Sequence, residues 1–380
     1  MSAASSAHGV PRARALLSAA VAERVASAAA LAVVDLDRVE VFSVGRTSQW
    51  RRVGAQGRWE PCPGTPVHNH SRFDLASLTK PMATSTLLAL ACAKGLLSLE
   101  DPLERWLPES RSLPLGSVPL RLFASHASGL PAWVDFFAAT QGLRGSHRAQ
   151  AVRRQVMATP LDRAPGSQAV YSDLGYMLLG WTLETAWQAP LDQLFDRHIA
   201  LPLGLCAGFK PPATEAVVCT EIWPPRCIDG LPLRAEVHDD NAAALEGVAG
   251  HAGLFASAAD VGRWAQQWLR AASGQANDLE LDPRLVAQWT LRAGAPETTW
   301  RCGWDTPSRP HSSAGERAPP GAFGHLGFAG TSVWLAPDQR LAVALLTNRV
   351  HPSREHVSGI RRLRPAVHDA LWPDGRAGFL

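Results

Sequence analysis

Between Phe73 and Gly95 the chain reads FDLASLTKPMATSTLLALACAKG, and from Met82 to Ala93 nearly every position is apolar or small. A stretch of that length without a polar face predicts a helix buried on all sides. Its polar residues gather at the start, in Ser77-Leu78-Thr79-Lys80, and Gly95 suits the C-cap. Residues 12 to 28 alternate apolar and charged positions at helical spacing and predict a first amphipathic helix. Residues 30 to 46, ALAVVDLDRVEVFSVGR, read as two β-rich runs joined at Asp35 to Asp37, a hairpin. Arg51 to Ser71 carries Pro and Gly and reads as loop.

After Gly95, Ser98 to Pro108 predicts a short helix, and Leu120 to Ser125 a further helical run broken at His126. From Phe136 to about Trp289 the pattern is mostly helical, clearest at Leu174 to Trp187 and Val261 to Ala272. Lys210 to Leu254 is the longest irregular stretch, and loops of that length in a compact domain are usually functional. The last part changes character. Gly324 to Phe328, Thr331 to Leu335 and Arg340 to Asn348 are β-prone runs separated by turn residues, an antiparallel meander closed by a helix over Ser353 to Leu371. The expected fold is of the α/β (α+β) class, with an antiparallel sheet built from both termini, flanked by helices. The expected division is a discontinuous sheet domain, 12–72 with 290–380, and a segment 73–289 holding the buried helix and a mostly helical domain.

Composition narrows the function. With 380 residues, 46% hydrophobic and 19% charged, the chain is ordinary for a globular protein of one large or two interleaved domains. A net charge of +3, evenly spread, argues against nucleic acid or an anionic membrane as partner. The expected partner is a small-molecule or peptide-like substrate. No run reaches membrane-span length without a charge or turn residue, and Arg and Glu interrupt the N-terminal apolar positions where a secretory signal would be continuous. A cytoplasmic location is the expectation. Cys62, Cys92, Cys206, Cys219, Cys227 and Cys302 show no C-x-x-C or zinc-finger spacing and read as thiols, with a Cys219–Cys227 disulfide as the alternative. His238, Asp239, Asp240 and His251 are metal-capable, but their spacing matches no ligand motif, so they read as loop hydrogen-bonding groups. No metal and no cofactor are expected.

Ser77 and Lys80 lie three apart at a helix start, which places their side chains on one face, about 5 to 6 Å apart at Cβ. The Ser77 hydroxyl also sits where backbone N–H groups lack intrahelical partners and can stabilise an oxyanion. Lysine is scarce: only Lys80, Lys94 and Lys210 stand among 37 basic residues. Tyr171-Ser172-Asp173 follows Pro165-Gly166 and precedes a helix, which leaves the Tyr171 phenol on a loop facing a cleft. Tyr176, on that helix, reads as core, and the tryptophans, at positions such as Trp133, Trp264, Trp268 and Trp304, read mostly as core with a few lining a cleft. His126 in SHASGLP reads as a satisfied buried histidine. His325-Leu326-Gly327 begins the meander, and Gly327 and Gly330 let another chain lie close, so this edge suits an extended peptide-like substrate.

In order along the chain, Ser77-x-x-Lys80, Tyr171-Ser172-Asp173 and His325-Leu326-Gly327 resemble the three signature elements of the serine β-lactamase and penicillin-binding protein superfamily. The second has Asp where that pattern has Asn, and the third His where it has Lys, forms more similar to the peptidase, esterase and β-lactamase-related branch. VHDDNA, GVAGHAGLF and LTNRVHP resemble the subgroup containing N-acetylmuramoyl-L-alanine amidases. The resemblance implies a β-lactamase/transpeptidase-like fold and a Ser77 nucleophile that forms an acyl-enzyme. It implies Lys80 or Tyr171 as base, an oxyanion site between the backbone N–H groups of Ser77 and Phe328, and substrate contacts from Asp173, His325 and Gly327. Burial lowers a lysine, a cationic lysine lowers a neighbouring tyrosine, and an anionic Asp173 raises the lysine, so the base stays open. His325 is expected to meet a substrate carboxylate or amide, and without lysine's permanent charge β-lactamase activity ranks low. The expected function is a serine hydrolase of amides or esters, on a muropeptide or related acyl-amide. The alternatives are a carboxylesterase or D-amino-acid peptidase, or a penicillin-binding sensor domain that does not turn over.

Overall fold

The computed structural model describes residues 4–54, 57–222, 226–227, 230–291 and 293–373. Its main sheet takes β1 (Ala28–Val34) and β2 (Val39–Gly45) from the start of the chain. The Asp35 carboxylate ties their turn by accepting from the backbone N–H groups of Asp37 and Arg38. The stretch expected as loop after β2 instead contains a hairpin of β3 (Trp50–Val53) and β4 (Arg58–Pro61). Its strands are half-buried or exposed and have mixed polarity, so no alternating apolar signal marks them.

Three two- or three-residue strands, β5 (Phe73–Asp74), β6 (Gly208–Phe209) and β7 (Leu254–Ala256), form a small second sheet with β7 in the middle. They are too short to show a period. The meander supplies β8 (Phe323–Leu326), β9 (Ser332–Ala336) and β10 (Leu341–Thr347), within a residue or two of the expected runs. The main sheet runs β2-β1-β10-β9-β8 and is antiparallel throughout, so β1 and β10, from opposite ends of the chain, pair at its centre.

β1 is buried on both faces, and side-chain alternation divides it between two cores. Ala28, Ala30, Ala32 and Val34 join the large core shared with Val261, Trp264 and Trp268 of helix Ala258–Ala272. That helix lies within segment 73–289 and packs on β1, β2 and β10. Ala29 and Leu31 face the other way, into a core completed by Leu17, Leu363, Val367 and Leu371 of the terminal helices Ala4–Ala22 and Ser358–Leu371. The first of these helices begins and ends several residues before the expected 12 to 28, because Ala28 is already strand. Among the described residues no helix is long and apolar enough to cross a membrane.

The central segment is helical from Ala76 to Ala93 but not uniform: a 3-10 turn Ala76–Leu78, a π turn Lys80–Ser85 and an α-helix Thr86–Ala93. Pro81 lies in the widened turn, and the Pro81 carbonyl accepts from the Thr86 hydroxyl at 2.8 Å. Burial on all sides forces every polar side chain here to find a partner. Thr84 donates to Gly250 O, Ser85 pairs with the Tyr176 hydroxyl, and Thr86 Oγ1 accepts from the indoles of both Trp264 and Trp268.

Candidate active site

β5 delivers the chain to Ser77 through a strained turn. Ala76 has φ +48°, a conformation that non-glycine residues seldom adopt. The buried Asp74 carboxylate fixes it, accepting from Ala76 N at 2.7 Å through one oxygen and from His238 N at 2.7 Å through the other. Ser77 thus emerges at the start of the buried helix and at the base of a cleft of about 760 Å³.

Lys80 is fully buried, and its amine reaches Ser77 Oγ at 3.1 Å, Asp173 Oδ1 at 2.7 Å and His251 O at 3.1 Å. Burial alone would lower this lysine, but Asp173 and the Tyr171 phenol outweigh it and the net direction is up. Of the opposing influences that the sequence left open, the neighbouring carboxylate prevails over burial. Tyr171 lies beside the lysine, with Lys80 Nζ 4.8 Å from the ring centroid. Burial pushes the phenol up, and the lysine charge pulls against it.

The SHASGLP loop sets Tyr171 in place. His126 has φ +57°, and its carbonyl accepts from Val170 N while its Nδ1 accepts from Ser172 N. Its ring packs 4.5 Å from that of Tyr171 and 4.6 Å from that of Trp300, which sequence reasoning did not single out. His126 is buried and hydrogen-bonded, as read from the sequence, and both flanks of Tyr171 depend on it.

Opposite Ser77 stand β8 and its turn. His325 and Gly327 line the cleft, as does Phe328, which is half exposed and has the Arg349 guanidinium 4.3 Å and the His238 ring 5.7 Å from its ring centroid. Gly327 has no room for a Cβ, which would meet Thr331 and the carbonyl of Leu75 on the nucleophile side. Arg349, Arg354, Arg361 and Arg364 form a basic wall beyond Phe328. Trp133 is among the tryptophans at the cleft and is 52% exposed, whereas Trp264, Trp268 and Trp304 are buried.

The edge of β8 is less open than expected for strand addition, because Asp305 already exchanges two backbone hydrogen bonds with Gly324. The metal-capable set is engaged in structural pairs: His238 with Glu221 at 2.9 Å, His251 with Asp239 at 2.9 Å, and Asp240 with Arg226 at 2.8 Å. Asp239 also caps the short helix Asp240–Ala244. Among the described residues no cluster of three or more His, Cys, Asp or Glu could hold a metal ion. No disulfide joins Cys219 to Cys227, and Cys227 Sγ instead lies against Glu221 O.

The sequence model of the family described as Beta-lactamase matches residues 13–368. The chain belongs to the beta-lactamase family. This family member is a serine hydrolase. It is 30% identical over 311 residues to a protein of Salmonella agona named "Putative D-alanyl-D-alanine carboxypeptidase", covering 74% of this chain and 70% of that one. Among solved structures, EstCE1, a hydrolase with promiscuous acyltransferase activity, superposes with a TM-score of 0.74 at 20% identity, covering 97% of this chain and all of the other. D-alanine carboxypeptidase AmpC from Burkholderia cenocepacia does so at 0.66 and 21% identity, over 93% of this family member and 98% of its own chain. At those identities the structural likeness speaks for the fold.

Proposed function

We propose that the protein hydrolyses an amide or ester of a cell-wall-derived muropeptide or related D-amino-acid-containing acyl-amide, through an acyl-enzyme on Ser77. The observation that carries this reading is the Lys80 amine, within hydrogen-bond reach of Ser77 Oγ and paired with Asp173 at the base of an open cleft. The name of the Salmonella relative supports a D-amino-acid substrate. The arginine wall supports one that carries a carboxylate. Membership of the amidase-containing subgroup is part of the same proposal.

In this scheme Asp173 keeps the lysine protonated, so Lys80 donates to Ser77 Oγ and the serine proton turns to the Tyr171 oxygen. Asp173 holds the charge on the Lys80 nitrogen, and that cation favours the Tyr171 phenolate as base, against burial and Asp173, which oppose it. Ser77 Oγ bonds to the carbonyl carbon, its proton passes to Tyr171, and the backbone N–H groups of Ser77 and Phe328 receive the oxyanion. The carbon–leaving-group bond then breaks and Tyr171 returns the proton to the leaving nitrogen or oxygen. Water adds to the acyl-enzyme with the same base and restores the Ser77 hydroxyl, so one water is consumed per bond cleaved.

Intact-mass spectrometry after a fluorophosphonate probe should show one adduct on Ser77, absent from Ser77→Ala. Turnover of a MurNAc-peptide, a D-Ala-D-Ala peptide, a short p-nitrophenyl ester and a chromogenic cephalosporin then reads the substrate class. An intact MurNAc-peptide beside a hydrolysed ester would overturn the muropeptide reading.

A further inference from the structure

The backbone acceptors of β8 and its turn have internal donors. Gly324 O accepts from Asp305 N at 2.8 Å, and Leu326 O accepts from His325 Nδ1 at 2.8 Å. Gly327 O accepts from Arg364 at 2.6 Å and Phe328 O from Arg349 Nε at 2.8 Å. Among the described residues, His325 Nε2 is a buried side-chain acceptor without a partner, on a side chain only 1% exposed that lines the cleft with Ser77.

The bond to Leu326 O fixes the state of that ring. A carbonyl only accepts, so Nδ1 carries the hydrogen, and Nε2 of the neutral ring is a bare acceptor. Burial, and after it the Lys80 charge, keep the ring neutral by pushing its pKa down to about 3. The rings of Tyr171 at 6.0 Å and Trp300 at 5.6 Å flank it and supply no bond to Nε2. A buried bare acceptor gains from an N–H or O–H and is opposed by a carboxylate.

We propose that His325 Nε2 accepts a hydrogen bond from the substrate N–H next to the reacting carbonyl, so that this side chain does what an open strand edge would do with its backbone. The site then selects acyl groups whose adjacent nitrogen carries a hydrogen and disfavours N-alkylated ones. A substrate carboxylate belongs on the arginine wall, not on His325, which replaces the carboxylate contact allowed by sequence. This inference rests on the serine-hydrolase reading and specifies its substrate.

The test compares the p-nitrophenyl esters of N-acetyl-D-alanine and N-acetyl-N-methyl-D-alanine. The native protein should prefer the first in kcat/KM by about tenfold or more. His325→Gln, which retains an acceptor, should keep most of that ratio, and His325→Leu should bring it towards the ratio of uncatalysed hydrolysis. An unchanged ratio in His325→Leu overturns the proposal. A second arm needs no turnover: in ¹⁵N-histidine-labelled Ser77→Ala protein, Nε2 of His325 should lack a hydrogen and should shift with N-acetyl-D-alanine methyl ester but not with its N-methyl analogue. A hydrogen found on Nε2 overturns the proposal as well. Absence of fluorophosphonate labelling at Ser77 would instead overturn the hydrolase reading and leave the magnetic-resonance arm to decide this one.

Discussion

Asp173 Oδ1 lies 2.7 Å from Lys80 Nζ, and this carboxylate converts a lysine that burial would discharge into a fixed cation. Lys80 and Tyr171 are both raised above their ordinary values, so the base form is scarce at neutral pH and kcat/KM should climb as pH rises beyond it. Asp173 raises both groups, so Asp173→Asn should move that limb to lower pH by roughly one unit or more, with the amide still able to touch the amine. A pH–rate profile of the two proteins measures this. A limb that stays put would remove Asp173 from control of the base.

Tyr171→Phe keeps the ring against His126 and Trp300 and removes only the phenol oxygen. As the proposed base it should lower kcat by about 10²- to 10⁴-fold with a small change in KM. Steady-state kinetics on a p-nitrophenyl ester would show it, and a near-native kcat would return the role of base to Lys80.

The strained turn before the nucleophile depends on Asp74. Replacing it with Ala leaves the buried N–H groups of Ala76 and His238 without their acceptor. At about 1–3 kcal/mol per unsatisfied group, the loss should be about 2–6 kcal/mol in urea unfolding. Full stability in Asp74→Ala would mean that the turn has another anchor.

Glu221 joins the irregular stretch to the segment after β10, with His238 Nε2 at 2.9 Å and Arg354 Nε at 2.6 Å. Burial pushes this carboxyl up, but His238 and Arg354 prevail and its pKa in the fold is below 4.5. A depressed acid contributes stability that is present above about pH 4.5 and lost as pH falls through the folded value. Urea midpoints measured from pH 7 downward should therefore fall less steeply in Glu221→Gln, and parallel curves would show that the pairs contribute nothing.

Much of this was legible from residues because periodicity and motif spacing report local chemistry. The strands of the meander and helix Asp173–Trp187 carried clear patterns, and Ser77, Lys80, Tyr171 and His325 do line or underlie one cleft. Legibility ended where tertiary partners decide. The Asp74 clamp on Ala76 joins positions whose roles depend on a strained φ, and β5, β6 and β7 are too short to print a period. Trp300 has no motif, and its place beside Tyr171 follows from a loop that approaches from elsewhere in the chain. The direction of the Lys80 shift depended on a distance, and sequence supplies only the names of the opposing groups.

The pairing of β1 with β10 joins Ala29 to Thr347. A ribosome releases the first of these strands long before its central neighbour exists, so the early hairpin must wait, with one edge uncovered, for nearly the whole chain to be made. Such long-range closure is slow and leaves the nascent chain open to aggregation. A stop codon shortly before residue 341 would leave Ser77 and Lys80 encoded yet deprive the sheet of its middle strand, so loss of the far end of the gene should silence the site as completely as loss of the serine.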